Sequence, residues 1–146
     1  MVVVRPGGGP DLDPAVAVWQ ASNTARRGGL PVPAEHEARV RGHAGKPDAF
    51  LLVADDGAGP PVPGLCHVST VFVAPNRWGE GIGGRIVDAV LAEARARGYE
   101  RAQLWTHADN ARAQRLYEGR DFQRSGREKD DDLGERIVHY QRALPP

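Results

Sequence analysis

A glycine-rich segment, RWGEGIGG at 77–84, carries the most distinctive chemistry of this sequence. It stands between an apolar run that predicts a β-strand and an apolar pattern of helical spacing that begins at Ile82. The first turn of a helix presents unpaired backbone N–H groups and the positive end of the helix dipole. Glycines let an anion approach those groups without a Cβ in the way. The segment therefore predicts an anion cradle, and we expect a nucleotide pyrophosphate to be the anion.

Two familiar phosphate-binding turns fit this segment poorly. A P-loop requires Gly-Lys-Ser/Thr, and GGR at 83–85 lacks both the lysine and the hydroxyl. The spacing at 79–84 does match G-x-G-x-x-G, but a dinucleotide-binding turn follows its strand directly and needs an acidic residue at the end of the next strand. Here PNRW intervenes, and the next strand has its acid, Glu100, at its start. A nucleotide-dependent oxidoreductase is therefore the weaker interpretation of the glycines.

Apolar periodicity and turn residues predict the elements that must position this turn. Asp13 is the expected N-cap of a first helix that ends at Gly28, and Asp109 or Asn110 is the expected cap of the last helix. The predicted helices cover 13–28, 32–48 (a weaker pattern), 82–98 and 108–122. The predicted strands cover 1–4, 49–55, 65–74, 99–107 and a closing antiparallel pair at 122–129 and 135–144, with a Gly/Pro loop at 57–64.

Composition limits the class of protein. The 146 residues suit one domain spanning 1–146, and a formal net charge of zero argues against a nucleic-acid partner. A single cysteine, Cys66, excludes a disulfide within the chain and fits a reducing compartment. No apolar run approaches the roughly 20 residues that span a bilayer, so we expect a cytoplasmic protein without a membrane partner.

The pattern from residue 65 to 144 resembles the GNAT N-acetyltransferase superfamily. That family's signature is a strand ending in V-x-P, followed by R/Q-x-x-G-x-G/A at the start of a helix, and VAP at 73–75 and GIG at 81–83 match it. The resemblance implies a single α/β domain with a mixed, mostly antiparallel central sheet flanked by helices. The family's second region, N-x-x-A-x-x-L-Y-x-x-x-x-F, is matched at Asn110, Ala113, Leu116, Tyr117 and Phe122.

The resemblance also implies acetyl-CoA as co-substrate and no metal. The pantetheine arm would pair like an extra strand with the backbone of Phe72 and Val73, and Asn110 would contact the same arm. The two strands beside it would splay apart to admit the thioester. The pyrophosphate would lie on the backbone amides of the turn, which belong to Trp78, Gly79, Glu80, Gly81, Ile82, Gly83 and Gly84.

Acetyl transfer to an amine needs a neutral amine, a polarised carbonyl and a proton for the departing sulfur. The resemblance places Tyr117 near the sulfur as general acid; the alternative is that Tyr117 only fills the core. His67 is the candidate base, because it alternates onto the same strand face as Val71 and Val73. The alternative for His67 is a hydrogen-bonded structural role. Cys66 alternates to the opposite face and is expected to be a buried thiol.

Four residues of the second predicted helix lie where the family often places acceptor-binding groups. The alternative is that they form a solvated helix face. They are Glu35, His36, Glu37 and His43.

The sequence departs from the family pattern in three places. Trp78 occupies the position of the signature arginine or glutamine, and Asp121 replaces a glycine after the last helix. Between Asp55 and Leu65 the Gly/Pro loop stands where the family has a further strand. Either the N-terminal half is rearranged, or another copy of the chain supplies the sheet edge in a homodimer.

These features predict an N-acetyltransferase that moves an acetyl group from acetyl-CoA to a primary amine by direct attack in a ternary complex. The acceptor, a small molecule or a peptide, is not identified by the sequence. The alternative is a non-catalytic acyl-CoA-binding or sensing module of the same fold, motivated by the missing strand.

Overall fold

The computed structural model describes residues 9–44, 64–68, 71–73 and 75–146. The strands predicted at 1–4 and 49–55, and the strand expected to be missing before Leu65, lie outside the described residues. Short 3-10 turns occupy Gly9–Asp11 and Pro75–Arg77. The helices are α1 (Leu12–Arg26), α2 (Ala34–Ala44), α3 (Ile82–Ala96) and α4 (Ala111–Glu118), and the strands are β1 (Leu65–Val68), β2 (Arg101–His107), β3 (Gln123–Asp130) and β4 (Arg136–Ala143).

The described strands form one mixed sheet in the order β1-β2-β4-β3. β1 and β2 are parallel and joined by α3, whereas β2 pairs antiparallel with β4, and β4 with β3. The Asp131 carboxylate accepts hydrogen bonds from the Leu133 and Glu135 amides, which closes the turn between β3 and β4. The predicted sheet type and the closing antiparallel pair are confirmed.

One face of this sheet carries the core. Ala102 and Leu104 alternate inward along β2, and Cys66 and Val68 do so on β1. α3 covers them because its apolar residues recur at helical spacing. The side chains that share this core with the strands include Val87, Val90, Leu91 and Ala94 of α3, Tyr117 of α4, and Phe122 just beyond it. Cys66 is buried as predicted, and burial raises the pKa of its thiol to about 11.

All four predicted helices are present, but α4 is shorter than the predicted 108–122, and the start of α1 is also corrected. α1 begins at Leu12 with Asp11 before it, not at Asp13, because the Asp11 backbone is already helical and continues the preceding 3-10 turn. Gly28 and Gly98 adopt left-handed φ angles of 68° and 82° beyond α1 and α3, as expected for stop residues. Asn110, not Asp109, caps α4, and its Oδ1 accepts the Ala113 amide at 3.2 Å.

β1 is shorter than the strand predicted at 65–74. Its pairing with β2 ends at Val68 opposite Leu104, although β2 continues to His107, and the described residues Val71–Val73 are irregular. An apolar run indicates burial, but a ladder also requires a partner strand within hydrogen-bonding distance. The described residues Val71–Val73 therefore stand outside the ladder with β2.

Within the part of the chain that the structure describes, no helix combines the length and apolar character that crossing a bilayer requires.

Candidate active site

A cavity of about 410 Å³ lies beside the segment Val71–Val73 that follows β1, a volume that is ordinary for small-molecule sites. α1 contributes Ser22 and Arg26 to its wall, and the irregular segment after β1 contributes Val71–Val73. The glycine turn and the exposed side of α4 complete it. The lining residues from these two parts are Arg77, Trp78, Gly79, Gly81, Ile82, Gly83 and Gly84, and Asn110, Arg112, Ala113, Arg115, Leu116 and Tyr117.

The glycine turn has the backbone of an anion cradle. Gly79 and Gly81 have φ angles of 85° and 76°, a region that side chains strain. Gly81 is the N-cap of α3, and its carbonyl accepts the first helical hydrogen bond, from Arg85. The amides at 82–84 precede that bond, so helix geometry leaves them free for a ligand. A Cβ on Gly83 would lie 3.4 Å from the Leu116 side chain, an ordinary van der Waals contact, so the start of α3 lies directly against α4.

Trp78 anchors the turn to the segment after β1. Its indole N–H donates to the Val73 carbonyl at 2.8 Å, and the Arg112 guanidinium carbon lies 3.3 Å from the centroid of its ring. The Val73 carbonyl, predicted to pair with pantetheine, therefore already accepts one hydrogen bond. A carbonyl oxygen has two lone pairs, so a second donor can share it.

All the charged residues in the described lining of the cavity are arginines. Arg77 is paired with Glu80 at 3.1 Å, and Arg26 is also ion-paired. Neither Arg112 nor Arg115 has a carboxylate partner among the described residues. Partial burial, and then the like charge of Arg115, lower the pKa of the Arg112 guanidinium. This excess positive charge suits a polyphosphate ligand.

Tyr117 reaches the cavity from the core. Only 7% of the residue is exposed, and burial raises the pKa of its hydroxyl to about 12, so the phenol is protonated at neutral pH. Phe122 meets it edge to face at a centroid distance of 5.8 Å, which fixes the ring. The structure thus places Tyr117 in the core and at the cavity wall, and its role as general acid stays a prediction.

Two predicted site residues do not line the cavity. His67 lies in β1 level with Gln103 of β2, and the cavity opens only beyond the end of β1. Its alternation with Val71 and Val73 assumed a continuous strand, and the described backbone is irregular after Val68. The Glu80 side chain is exposed and pairs with Arg77. The candidate base and the Glu80 contact stay predictions without support from this geometry.

The proposed acceptor residues of α2 are placed away from the cavity as far as they are described. Glu35 is exposed, and neither it nor His36 is a lining residue. Glu37 accepts from Gln20 of α1 at 2.6 Å and pairs with Arg41 at 3.0 Å, so it joins the two helices. The His43 side chain lies outside the described part.

A network of ion pairs closes the α1 end of the cavity. Glu135 in the β3–β4 turn pairs with Arg26 at 2.7 Å and with Arg27 at 3.1 Å. His107 Nε2 lies 3.0 Å from the Asp131 carboxylate and 3.5 Å from that of Glu135. The ligating atoms of His107, Asp131 and Glu135 lie within 4.8 Å of one another, a spacing compatible with a metal ion. The paired arginines compete for Glu135, and we assign the group to joining α1 and the turn.

Sequence reasoning found the cradle but missed the arginines. Arg112 and Arg115 lie one turn apart on α4, next to the predicted Asn110 and Tyr117, so their spacing offered a signal. Nothing local marks Ser22 or Arg26, because only the packing of α1 brings them to the cavity.

The fold and the cavity define an α/β protein in which the glycine-rich start of α3 and two arginines of α4 line one cavity. The family model described as the Acetyltransferase (GNAT) family matches residues 5–122. The chain therefore belongs to the GNAT acetyltransferase family, and the resemblance seen in the sequence is confirmed.

Known proteins agree with this assignment. The chain is 34% identical over 85 residues to the mycothiol acetyltransferase of Beutenbergia cavernae, covering 52% of this chain and 29% of that protein. It is 37% identical over 58 residues to an uncharacterized N-acetyltransferase of Archaeoglobus fulgidus, covering 40% of each. The chain thus spans less than half the length of these curated relatives. The crystal structure of the Escherichia coli ribosomal-protein-S18-alanine N-acetyltransferase superposes with a TM-score of 0.73 at 17% identity, over 100% of this chain and 96% of that one.

Proposed function

We propose that this protein transfers an acetyl group from acetyl-CoA to a primary amine by direct attack in a ternary complex. The observation that carries the proposal is that one cavity is lined by the glycine turn, by Tyr117, and by Arg112 and Arg115. Membership of the GNAT family supports acetyl-CoA as the donor.

The described residues fit that donor along its length. The amides at 82–84 suit the pyrophosphate, as do Arg112 and Arg115 of α4, which pair with no carboxylate of the described residues. Phe72 and Val73 line the cavity with backbone that is not committed to the sheet, which suits the amides of the pantetheine arm. Asn110 lines the same stretch, although its side-chain oxygen caps α4. These contacts would leave the thioester end facing Tyr117.

When bound, acetyl-CoA supplies an acyl carbon that accepts the amine nitrogen as its bond to sulfur breaks. The protein supplies a proton at the Tyr117 oxygen for the departing sulfur, and the cavity holds the two substrates together. The described lining contains no carboxylate or imidazole. We therefore propose that the amine arrives as the free base and loses its second proton to water after attack.

We also propose a cytoplasmic location. Cys66 is a buried thiol with a raised pKa, which fits a protein kept in a reducing compartment.

The test combines binding with turnover. Acetyl-CoA at about 100 times its dissociation constant should stabilise the fold by about 2.7 kcal/mol, which a thermal-shift assay measures. Binding of NAD in place of CoA would instead favour an oxidoreductase. Release of free CoA thiol in the presence of a broad panel of amines then tests catalysis. Tight acetyl-CoA binding without turnover of any amine would favour the sensing module over the enzyme.

A further inference from the structure

Trp78 and Arg112 form a stacked pair at the wall of the cavity. The Arg112 guanidinium carbon lies 3.3 Å from the centroid of the Trp78 ring. At that distance the guanidinium must lie flat on the ring, because an edge-on approach would drive its nitrogens into the ring. The flat arrangement covers one face of the guanidinium and leaves its N–H groups, which point outward in its own plane, available to a ligand.

The Trp78 ring is itself held in place. Its indole N–H donates to the Val73 carbonyl at 2.8 Å, and the residue is partly buried. A ring anchored at its edge restricts the rotamers of the side chain that stacks on it. A free arginine side chain has high rotamer entropy, so ordering it before a ligand arrives lowers the entropic cost of binding.

The stacked pair lies next to the glycine cradle. A Cβ on Gly83 would lie 3.4 Å from the Leu116 side chain and 3.6 Å from the Val73 side chain, so the first turn of α3 contacts both residues. Arg112 precedes Leu116 by four residues and therefore lies on the same face of α4. Val73 in turn accepts the Trp78 N–H. The Arg112 guanidinium and the amides at 82–84 thus border one part of the cavity.

The charge of Arg112 is not neutralised by the described residues. Arg77, in the same lining, pairs with Glu80 at 3.1 Å, whereas Arg112 pairs with no carboxylate of the described residues. A guanidinium with outward N–H groups and no counter-ion suits an oxyanion that the neighbouring amides also bind. In CoA, the diphosphate is the group that the cradle is proposed to hold.

We propose that Arg112 binds the diphosphate of the acyl donor, and that Trp78 is the positioning residue that holds the guanidinium beside the cradle. This inference rests on the proposed use of CoA, but it applies equally to an enzyme and to a sensing module. Arg115, one turn further along α4, also lines the cavity but is not stacked on Trp78. Trp78 therefore affects donor affinity through Arg112 and not through Arg115.

Ligands that differ in one phosphate test the contact. Affinities for CoA and for 3′-dephospho-CoA are measured by isothermal titration calorimetry with the parent protein and with Arg112→Gln. The variant should lose affinity for both ligands by about 10- to 100-fold, the range for a hydrogen bond to a charged group. A loss for CoA alone would assign Arg112 to the 3′-phosphate, and unchanged affinity for both would remove it from the donor site. Either result would overturn the proposal.

A double-mutant cycle tests the role of Trp78. Trp78→Leu removes the ring face and should weaken CoA binding, because the guanidinium is no longer held. Trp78→Leu combined with Arg112→Gln should bind CoA about as weakly as Arg112→Gln alone, since the residue that Trp78 positions is already absent.

The matched control is the cycle of Trp78→Leu with Arg115→Gln, in which the two losses should multiply. Losses that multiply in both cycles would show that Trp78 does not act through Arg112. Losses that fail to multiply in both cycles would show that Trp78 shapes the whole donor site, and would overturn its specific role.

Arg112→Lys separates the stack from the charge. Lysine keeps the positive charge but offers neither the flat guanidinium nor its fork of N–H donors. We expect its CoA affinity to be close to that of Arg112→Gln, and an affinity equal to that of the parent would overturn the role of the stack. Arg112 is exposed, so thermal melts of the unliganded variants should change little.

These results can be told apart from a failure of the proposed function. CoA binding without acetyl transfer would reject the enzyme and leave the Arg112 contact standing. If the parent protein does not bind CoA, the proposed function fails, and inorganic pyrophosphate becomes the probe. Pyrophosphate binding that Arg112→Gln weakens would still support the contact, whereas equal binding, or none, would reject it.

Discussion

Tyr117, the proposed general acid, belongs to the core and also lines the cavity. Its ring packs against Phe122 and lies 6.4 Å from the Tyr140 ring, while its burial raises the pKa of the hydroxyl to about 12. At neutral pH a phenol of that pKa is fully protonated, although the raised pKa also makes it a weaker acid than a free tyrosine. This protonation state suits an acid for a leaving thiolate.

Tyr117→Phe should therefore lower kcat by about 10²- to 10⁴-fold, the range for loss of a positioned general acid. Phenylalanine keeps the ring contacts, so acetyl-CoA affinity and thermal stability should change little. Steady-state CoA release and a thermal melt measure both quantities.

Tyr140→Phe is the control for that substitution. The Tyr140 hydroxyl also lies in the core region and donates to Glu118 at 2.7 Å, but it does not line the cavity. We expect a small loss of stability and an unchanged kcat. A Tyr117→Phe variant with full kcat would remove Tyr117 from the mechanism.

At the scale of elements, the turn after α4 positions Phe122 and the start of β3. Asp121 has a φ of 64°, in the left-handed region, where the family pattern has a glycine. The Asp121 and Phe122 amides donate to the Glu118 and Tyr117 carbonyls, which holds the turn in this conformation. Asp121 thus keeps the left-handed backbone conformation that glycine adopts more easily, and this costs free energy.

Asp121→Gly should raise the free energy of unfolding by about 0.5 to 1 kcal/mol. Left-handed backbone costs an L-residue roughly 1 to 2 kcal/mol, and the greater freedom of glycine in the unfolded chain offsets part of the gain. Urea denaturation measures the change. Asp121→Ala, which retains a Cβ at the same φ, should not be stabilised; a gain in both variants would show that the aspartate charge, and not φ, is responsible.

At the scale of the whole molecule, the buried His139 of β4 makes the stability of the fold depend on pH. It is 2% exposed, its Nε2 lies 3.0 Å from the Gln103 amide oxygen, and its Nδ1 lies 2.7 Å from the Ser125 hydroxyl. Burial lowers the pKa of His139 below its ordinary value of 6.5, and electrostatic interactions with Arg127, His67 and Lys129 lower it further. The folded protein therefore holds this imidazole neutral when the unfolded chain would protonate it.

The free energy of unfolding should consequently fall as pH drops below about 6.5. In that window the unfolded state binds a proton that the folded state does not, and the loss continues until the pH reaches the lowered pKa of the folded state. His139→Gln should be less stable at pH 7.5 but should show a shallower decline between pH 7 and 5. Chemical denaturation at each pH measures both slopes, and parallel curves for the two proteins would contradict the assignment.

Much of the fold was predictable because its signals are local. The stops at Gly28 and Gly98, the Asn110 cap and the apolar spacing of α3 each depend on a few neighbouring residues. The limit of β1 was not predictable, since an apolar sequence does not show whether its partner strand stays within reach. For the same reason His67, assigned by alternation along a longer strand, lies outside the cavity lining.

The sequence by itself determined the glycine turn, the α4 pattern around Asn110 and Tyr117, and through them the GNAT family. Turn chemistry and helical periodicity depend on a few neighbouring residues, so they can be recognised without knowledge of the fold. Only the tertiary structure decided that Arg26, from a distant helix, meets the arginines of α4 at one cavity. The charge at a site depends on which side chains converge in space. The chain has a formal net charge of zero, yet all the charged residues described in the cavity lining are arginines.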